Sequence, residues 1–205
     1  MSQAISVLPD SVAERLRASV IAQQDAPGST ITEAAIALRF GVARPTARLA
    51  IDRLVADGIL RREAHRAARV PTLTRDDVLD LYDTRALLEA AAVAGLRGIP
   101  AAALDAHRAL TATDDFARHD IAFHRALVAA TPSPRLARLH AQLMGEVELC
   151  IGQVQVAHLL TATQVAAQHQ GILDAIVNGD ADAAARLTRE HIASARDALL
   201  AHYDG

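Results

Sequence analysis

Asp120 and His124 stand four residues apart in the run Asp120-Ile121-Ala122-Phe123-His124. On a helix that spacing places both side chains on one face, one turn apart. His169 and His191 follow on two later stretches with helical periodicity. One carboxylate and three imidazoles form a donor set suited to a borderline divalent cation such as Zn²⁺ or Ni²⁺. Three helices of a bundle can bring such residues to its centre. Spacing alone leaves a second reading open. The chain has 9 His, among them His107, His119, His140, His158 and His202. A single His on a helix is more often a hydrogen-bonded core residue or a surface residue than a ligand.

Two sets of arginines have chemistry of their own. Arg85, in Tyr82-Asp83-Thr84-Arg85-Ala86-Leu87-Leu88-Glu89, interrupts a face that otherwise reads apolar through Val78, Leu81, Leu88 and Ala92. A buried Arg needs an anionic partner. Asp83, Glu89 or another internal acid can supply it, and so can the carboxylate of a bound metabolite; both readings stay open. Arg44 and Arg48 lie at i and i+4 at the start of a helical pattern, on one face. From there Arg can bond bidentately to guanine O6 and N7 in a major groove. Thr46 can meet a phosphate or a thymine methyl, and Arg39, Arg66 and Arg69 are placed for phosphates. The competing reading is a surface helix laced with salt bridges.

The elements that position these residues follow from periodicity and breakers. Helical spacing predicts a helix from about Ser11 to Gln24 and, after Ala26-Pro27-Gly28-Ser29, a short one from Glu33 to Arg39. Phe40-Gly41-Val42 is a tight turn, and a third helix runs from about Pro45 to Asp57, with Gly58 after it. Ile59–Arg62 and Ala68–Val70 read as two short strands around a turn at Ala64–Ala67. That order is a winged helix-turn-helix. Pro71-Thr72-Leu73-Thr74 is a linker. Six helices are then expected: Arg75–Leu96, Ala101–Leu110, one starting at Thr113-Asp114 and reaching Ala130, Pro134–Val156, one from Thr161 or Thr163 to Val177, and Ala181–Ala201. The fold class is therefore mainly α, a winged helix-turn-helix over residues 1–71 and an all-helical bundle of about six helices over 72–205.

Composition agrees with this division. Hydrophobic residues make up 51% of the 205 and aromatics only 2%, so the core must come from packed aliphatic helices. All 21 basic residues are Arg. Residues 1–74 carry a net charge of +3 and residues 75–205 one of −6, which sum to the −3 of the whole chain. A basic module on an acidic body suits a polyanion at one end, although a solvated arginine-rich surface has the same composition. No apolar run nears the roughly 20 residues of a membrane span. No secretory signal is visible, and the single Cys150 cannot form an intrachain disulfide, so a cytoplasmic location is expected.

These residues resemble the GntR family of bacterial regulators, in the FadR-like branch with an FCD-type C-terminal domain. The resemblance rests on Pro27-Gly28-Ser29-Thr30-Ile31-Thr32-Glu33, on Leu38-Arg39-Phe40-Gly41-Val42-Ala43-Arg44-Pro45-Thr46-Ala47-Arg48 and on Leu54-Val55-Ala56-Asp57-Gly58-Ile59-Leu60. In the C-terminal part it rests on Arg85-Ala86-Leu87-Leu88-Glu89, Asp120-Ile121-Ala122-Phe123-His124, His169-Gln170-Gly171-Ile172-Leu173-Asp174-Ala175-Ile176, Gly179-Asp180 and Arg189-Glu190-His191-Ile192. Each motif is weak alone; all of them in this order are specific. The resemblance implies a homodimer on a palindromic double-stranded operator. It also implies metal ligation by Asp120, His124, His169 and His191, a small carboxylate effector at Arg85, and DNA reading by Arg39, Arg44 and Arg48. The chain departs from the family at Ala43, where Ser is usual, at the swapped Pro45-Thr46 pair, at Leu49, where Glu is usual, and at Ala67 and Ala68, where a wing-tip Gly is usual.

The function expected is a ligand-responsive transcription regulator, in the commoner sense a repressor, and not an enzyme. Three alternatives accompany it. One is a regulator in which the metal itself is the signal. Another is a metal-dependent hydrolase fused to a DNA-binding head, which needs a general base beside an open coordination position. Glu190, next to His191, does not share its face. The third is a helical adaptor with an idle His cluster.

Overall fold

The protein's structure, a computed structural model, describes residues 9–112 and 116–203. The expected helix start at Thr113-Asp114 lies outside the described residues. Two compact units divide between Thr72 and Leu73.

In the first unit, α1 (Pro9–Ile21) buries Val12, Ala13, Leu16 and Val20. α2 (Glu33–Phe40) begins at Thr32, whose hydroxyl accepts from Ala35 N, and ends at Gly41 with φ 65°. That left-handed conformation costs an L side chain roughly 1 kcal/mol or more, which is why Gly stands there. α3 (Arg44–Ala56) carries Pro45 in its first turn and buries Ala47, Ala50, Ile51 and Leu54 against the neighbouring helices. Its N-cap, Ala43, gives no side-chain hydrogen bond, so this helix starts on backbone geometry alone.

The wing differs from the sequence expectation. β1 (Thr30–Ile31) pairs antiparallel with β2 (Ala68–Arg69), with Thr30 opposite Arg69 and Ile31 opposite Ala68. The expected strand Ile59–Arg62 contributes only a single bridge, Arg61 to Arg69. Ile59 and Leu60 are buried as core residues instead. A strand of two residues has no alternation to detect, and Thr30–Ile31 follows a Pro-Gly-Ser breaker, so neither pattern nor composition marked it. The tip also moves. Its left-handed residue is His65, φ 62°, and Ala68 lies within β2. A His65→Gly variant relieves this strain, and the stability of the first unit is expected to rise by up to about 1 kcal/mol. Urea unfolding followed by circular dichroism measures it.

The second unit is six helices among the described residues: α4 (Arg75–Ala94), α5 (Ala101–Leu110), α6 (Phe116–Ala129), α7 (Pro134–Val156), α8 (Ala162–Val177) and α9 (Ala181–Tyr203). Capping boxes open two of them, Thr74 with Asp77 on α4 and Thr161 with Gln164 on α8. Ser133 accepts from Leu136 N at the start of α7, and Asp180 accepts from Ala183 N at the start of α9.

The core of this unit explains where polar residues collect. One apolar cluster includes Leu81, Tyr82, Phe116, Ile121, Val165, Ile192 and Ala195. Another includes Val93, Phe123, Leu127, Ile172 and Ala184. α4, α6, α8 and α9 each contribute to both. Where each helix passes from one cluster to the other it carries buried polar residues: Arg85 and Glu89, Asp120 and His124, His169, and His191. A polar layer between apolar ends is costly unless its groups satisfy one another or a ligand.

Candidate metal centre and nucleic-acid interface

α6 places Asp120 and His124 one turn apart, α8 brings His169 and α9 brings His191 to the same point, all of them buried. Asp120 Oδ1 lies 3.1 Å from His169 Nε2 and 3.6 Å from both His124 Nε2 and His191 Nε2. His191 Nε2 is 3.0 Å from His124 Nε2 and 3.4 Å from His169 Nε2. One donor atom from each residue lies within 4.8 Å of all the others. Metal–ligand bonds of about 2.0–2.1 Å at tetrahedral angles put ligand atoms roughly 3.3–3.4 Å apart. The observed edges bracket that value, and the donor set is the nitrogen and oxygen chemistry of a borderline cation. The residues therefore fit a divalent metal ion.

Neighbours orient the ligands. His191 Nδ1 is 2.8 Å from Gln168 Oε1, which fixes the proton on Nδ1 and leaves the Nε2 lone pair facing the cluster. The His169 ring stacks on Phe123, centroids 3.8 Å apart. Glu190, the residue considered as a general base, is exposed and paired with Arg186 at 2.8 Å.

Burial pushes His169 down to about 3 and His191 below its usual value, so both stand as neutral imidazoles at neutral pH. Burial would raise the Asp120 carboxyl, but His124, His169 and His191 around it hold it well below the usual range. His124 is shifted up: burial opposes its charge, and Glu89 overrides burial. These directions set an acid sensitivity of the metal-free protein. Below pH 6.5 the unfolded chain protonates His169 and the folded one does not, so stability falls as pH falls. By pH 5 His169 alone costs about 2 kcal/mol. His191 acts in the same sense, and His124 offsets part. Below about pH 4 the depressed carboxyls of Asp120 and Glu89 add to the loss. Unfolding of the EDTA-treated protein at pH 7 and pH 5 checks this; a midpoint at pH 5 equal to or above that at pH 7 contradicts it.

Arg85 is wholly buried and takes the internal acid Glu89 as partner, Nε to Oε1 at 2.7 Å. Its Nη1 and Nη2 have no hydrogen-bond partner among the described residues. Burial lowers its affinity for a proton, but Glu89 and Asp120 more than compensate, so it stays charged. Beside it is a cleft whose walls include Phe116, Ile151, Val154 and Val165, with Asp120 and His191 at its polar end and free space of about 10 Å³, room for one water. The sequence offered Glu89 as a partner of Arg85 but tied neither Glu89 nor His140 to the histidine cluster. The signal for Glu89 was its spacing of one helical turn from Arg85; His140 carried none.

In the first unit, Arg44, Arg48 and Arg66 line one groove between α3 and the wing, together with Arg62 and His65. Arg44 is exposed and makes no ion pair among the described residues. Arg48 is 67% exposed and only loosely held, 3.9 Å from Glu33 and 3.8 Å from Asp52. Arg66 pairs with Glu63 at 3.2 Å. Thr46 and Arg69 do not line the groove. Arg39 is engaged elsewhere, bonding Asp25 at 2.7 Å and Ser19 Oγ at 2.6 Å.

Comparison with known proteins matches residues 8–70 to the bacterial regulatory proteins of the gntR family and residues 80–194 to the FCD domain. The uncharacterized HTH-type transcriptional regulator BphR of Paraburkholderia xenovorans (strain LB400) is 26% identical over 91% of this chain and 83% of its own. A protein of Escherichia coli (strain K12) named for regulation of the L-lactate dehydrogenase operon is 26% identical over 90% of this chain and 83% of its own. Among solved structures, a GntR transcriptional regulator from Rhodococcus sp. RHA1 superposes with a TM-score of 0.78 at 27% identity, covering 95% of this chain and 98% of that one. E. coli McbR/YncC shares the fold, with a TM-score of 0.75 at 17% identity over 97% and 100% of the two chains.

Proposed function

This chain belongs to the gntR family of bacterial regulators and carries an FCD domain, and on that premise we propose that it is a repressor whose helical unit binds a divalent metal and a small organic acid. Asp120, His124, His169 and His191 hold the metal, Zn²⁺ or Ni²⁺. Arg85 pairs with the carboxylate of the acid, and the metal, when bound, supplies a Lewis-acidic contact to it. Arg44 and Arg48 read bases, and Thr46, Arg66 and Arg69 contact the backbone or thymine methyls. Arg39 steadies α2 through Asp25 and Ser19. A homodimer sets the half-site spacing of a palindromic operator.

The observation that carries this reading is one cleft whose polar end combines Asp120 and His191 of the cluster with a buried guanidinium whose two NH₂ groups have no partner among the described residues. A buried charged donor with spare hydrogens favours an anion. The relative named for the L-lactate dehydrogenase operon supports an organic acid. Space for one water is too little for such an acid, so its binding requires helices around the cleft to shift. Control follows if the DNA-binding and non-binding states differ in affinity for the acid.

A DNA shift at fixed salt, against the region upstream of the protein's own coding sequence, tests the reading. The metal-loaded protein is expected to bind a discrete site, and one of a panel of small carboxylates, L-lactate among them, to release it. The narrow cleft also favours a second reading, in which the metal alone is the signal. EDTA then changes operator affinity and no carboxylate does.

A further inference from the structure

A single buried carboxylate stands between the metal-ligand cluster and Arg85. Glu89 Oε1 accepts from Arg85 Nε at 2.7 Å and lies 3.0 Å from His140 Nε2. Glu89 Oε2 lies 2.5 Å from His124 Nδ1. That last approach is an ion-pair distance between two wholly buried groups. Residues from α4, α6 and α7 thus meet on one carboxylate that is 1% exposed. His124 turns Nδ1 to Glu89 and Nε2 to Asp120 and His191. Arg85 spends Nε on Glu89 and keeps Nη1 and Nη2 for another partner.

We propose that Glu89 is a positioning residue that couples the two halves of the site, holding His124 for the metal and Arg85 for the carboxylate so that occupancy of one raises affinity at the other. The proposal rests on the reading that the cluster holds a metal and Arg85 an acid. Its physical basis is the sharing of one negative charge. A carboxylate on Nδ1 holds an imidazole in the tautomer that offers Nε2 to a metal and makes it a better donor. A cation on Nε2 in turn makes Nδ1–H more acidic and draws Glu89 toward His124. Its grip on Arg85 Nε loosens, and the guanidinium has more charge to offer an incoming anion. An anion on Arg85 acts in reverse, freeing Glu89 for His124. Linkage makes the two effects equal in free energy. His140 gives Glu89 a third anchor, on α7.

Zn²⁺ alone is the probe, with its affinity read by competition against a chromophoric chelator and the geometry of the site read from the visible spectrum of the Co²⁺ form. Glu89→Gln is expected to weaken Zn²⁺ binding about 10- to 100-fold and to alter the Co²⁺ spectrum. Arg85→Met is expected to tighten Zn²⁺ binding, because Glu89 then serves His124 and His140 alone. In the Glu89→Gln background the same Arg85→Met change is expected to give a smaller gain, the mark of coupling through Glu89. Glu89→Gln by itself leaves Arg85 buried without a counter-charge, so the single variant risks unfolding. The double variant removes both charges, and comparison with Arg85→Met then gives the Glu89 effect. Equal Zn²⁺ affinity with and without Glu89, or an Arg85→Met gain undiminished by Glu89→Gln, overturns the proposal. A folded wild type that takes up no Zn²⁺ is a different result: it removes the metal reading itself and this proposal with it.

Discussion

Zn²⁺ added to the metal-free protein is expected to raise the melting temperature of the helical unit by on the order of 10 °C, and Asp120→Asn is expected to abolish that rise. A ligand that binds only the folded state at a thousand times its dissociation constant adds about 4 kcal/mol. In a unit of this size each kcal/mol moves the midpoint by roughly 2–8 °C. The folded site has its ligands already gathered: His169 and His191 neutral, Asp120 ionised and His191 oriented by Gln168. Little ordering remains to oppose binding. Protons compete with the metal for His124, whose proton affinity Glu89 raises, so the rise shrinks as pH falls. Asp120→Asn keeps the shape and removes the charge. It therefore costs the metal-free protein less than it costs metal binding. The chain has no Trp, and its 2 Tyr, Tyr82 and Tyr203, both lie in the second unit. The tyrosine band of the near-ultraviolet circular dichroism thus follows this unit alone. If the wild type melts cooperatively at the same temperature with and without Zn²⁺, the cluster is a hydrogen-bonded polar layer and holds no ion.

Much of this site was legible because its parts are local. Asp120 and His124 declare themselves by one helical turn, and the helices that carry His169 and His191 are opened by Thr161 and Asp180 and separated by Asn178-Gly179. Arg85 was conspicuous as a charge on an apolar face. What periodicity could not give was the meeting of helices distant in sequence. His140 lies 51 residues from Glu89 and looks like any other His, yet it supplies an anchor of the buried carboxylate. The competing partners of Arg85 were an internal acid or a metabolite. Glu89 takes Nε, and two further donor groups have no partner among the described residues, so the first reading does not exhaust the second. In the DNA-binding unit the helices followed from Thr32, Gly41 and Pro45, whose backbone preferences are strong. In the wing the strand at Ala68–Arg69 was expected but its partner was not, because the pairing runs to Thr30–Ile31, far away in sequence, with two residues in each strand. A contact so long in sequence and so short in space leaves no periodic trace.

Arg44→Ala and Arg48→Ala are each expected to lose sequence-specific operator binding while leaving most non-specific binding. Both residues line the groove between α3 and the wing. Neither has to break a strong internal contact to reach a base: Arg44 has no ion pair among the described residues, and the partners of Arg48 are 3.8 and 3.9 Å away on an exposed side chain. Such exposed pairs contribute roughly 0–1 kcal/mol. A bidentate Arg–guanine contact gives about 1–3 kcal/mol of discrimination, or roughly 5- to 150-fold per arginine, and a dimer on two half-sites squares that factor. Arg66, at the wing, should behave differently. As a phosphate contact its loss weakens binding to all sequences alike and lowers the salt slope by about one. Arg39→Ala provides the internal comparison. Its bonds to Asp25 and Ser19 hold α2 against the end of α1, so its main effect is expected on the stability of the unit rather than on base preference. Shifts measured on operator and scrambled DNA across a salt series separate the three behaviours. If Arg44→Ala weakens operator and scrambled DNA equally, Arg44 is a phosphate contact, and base reading passes to Arg48 and the exposed Leu49, where apolar contact with thymine methyls is the chemistry available.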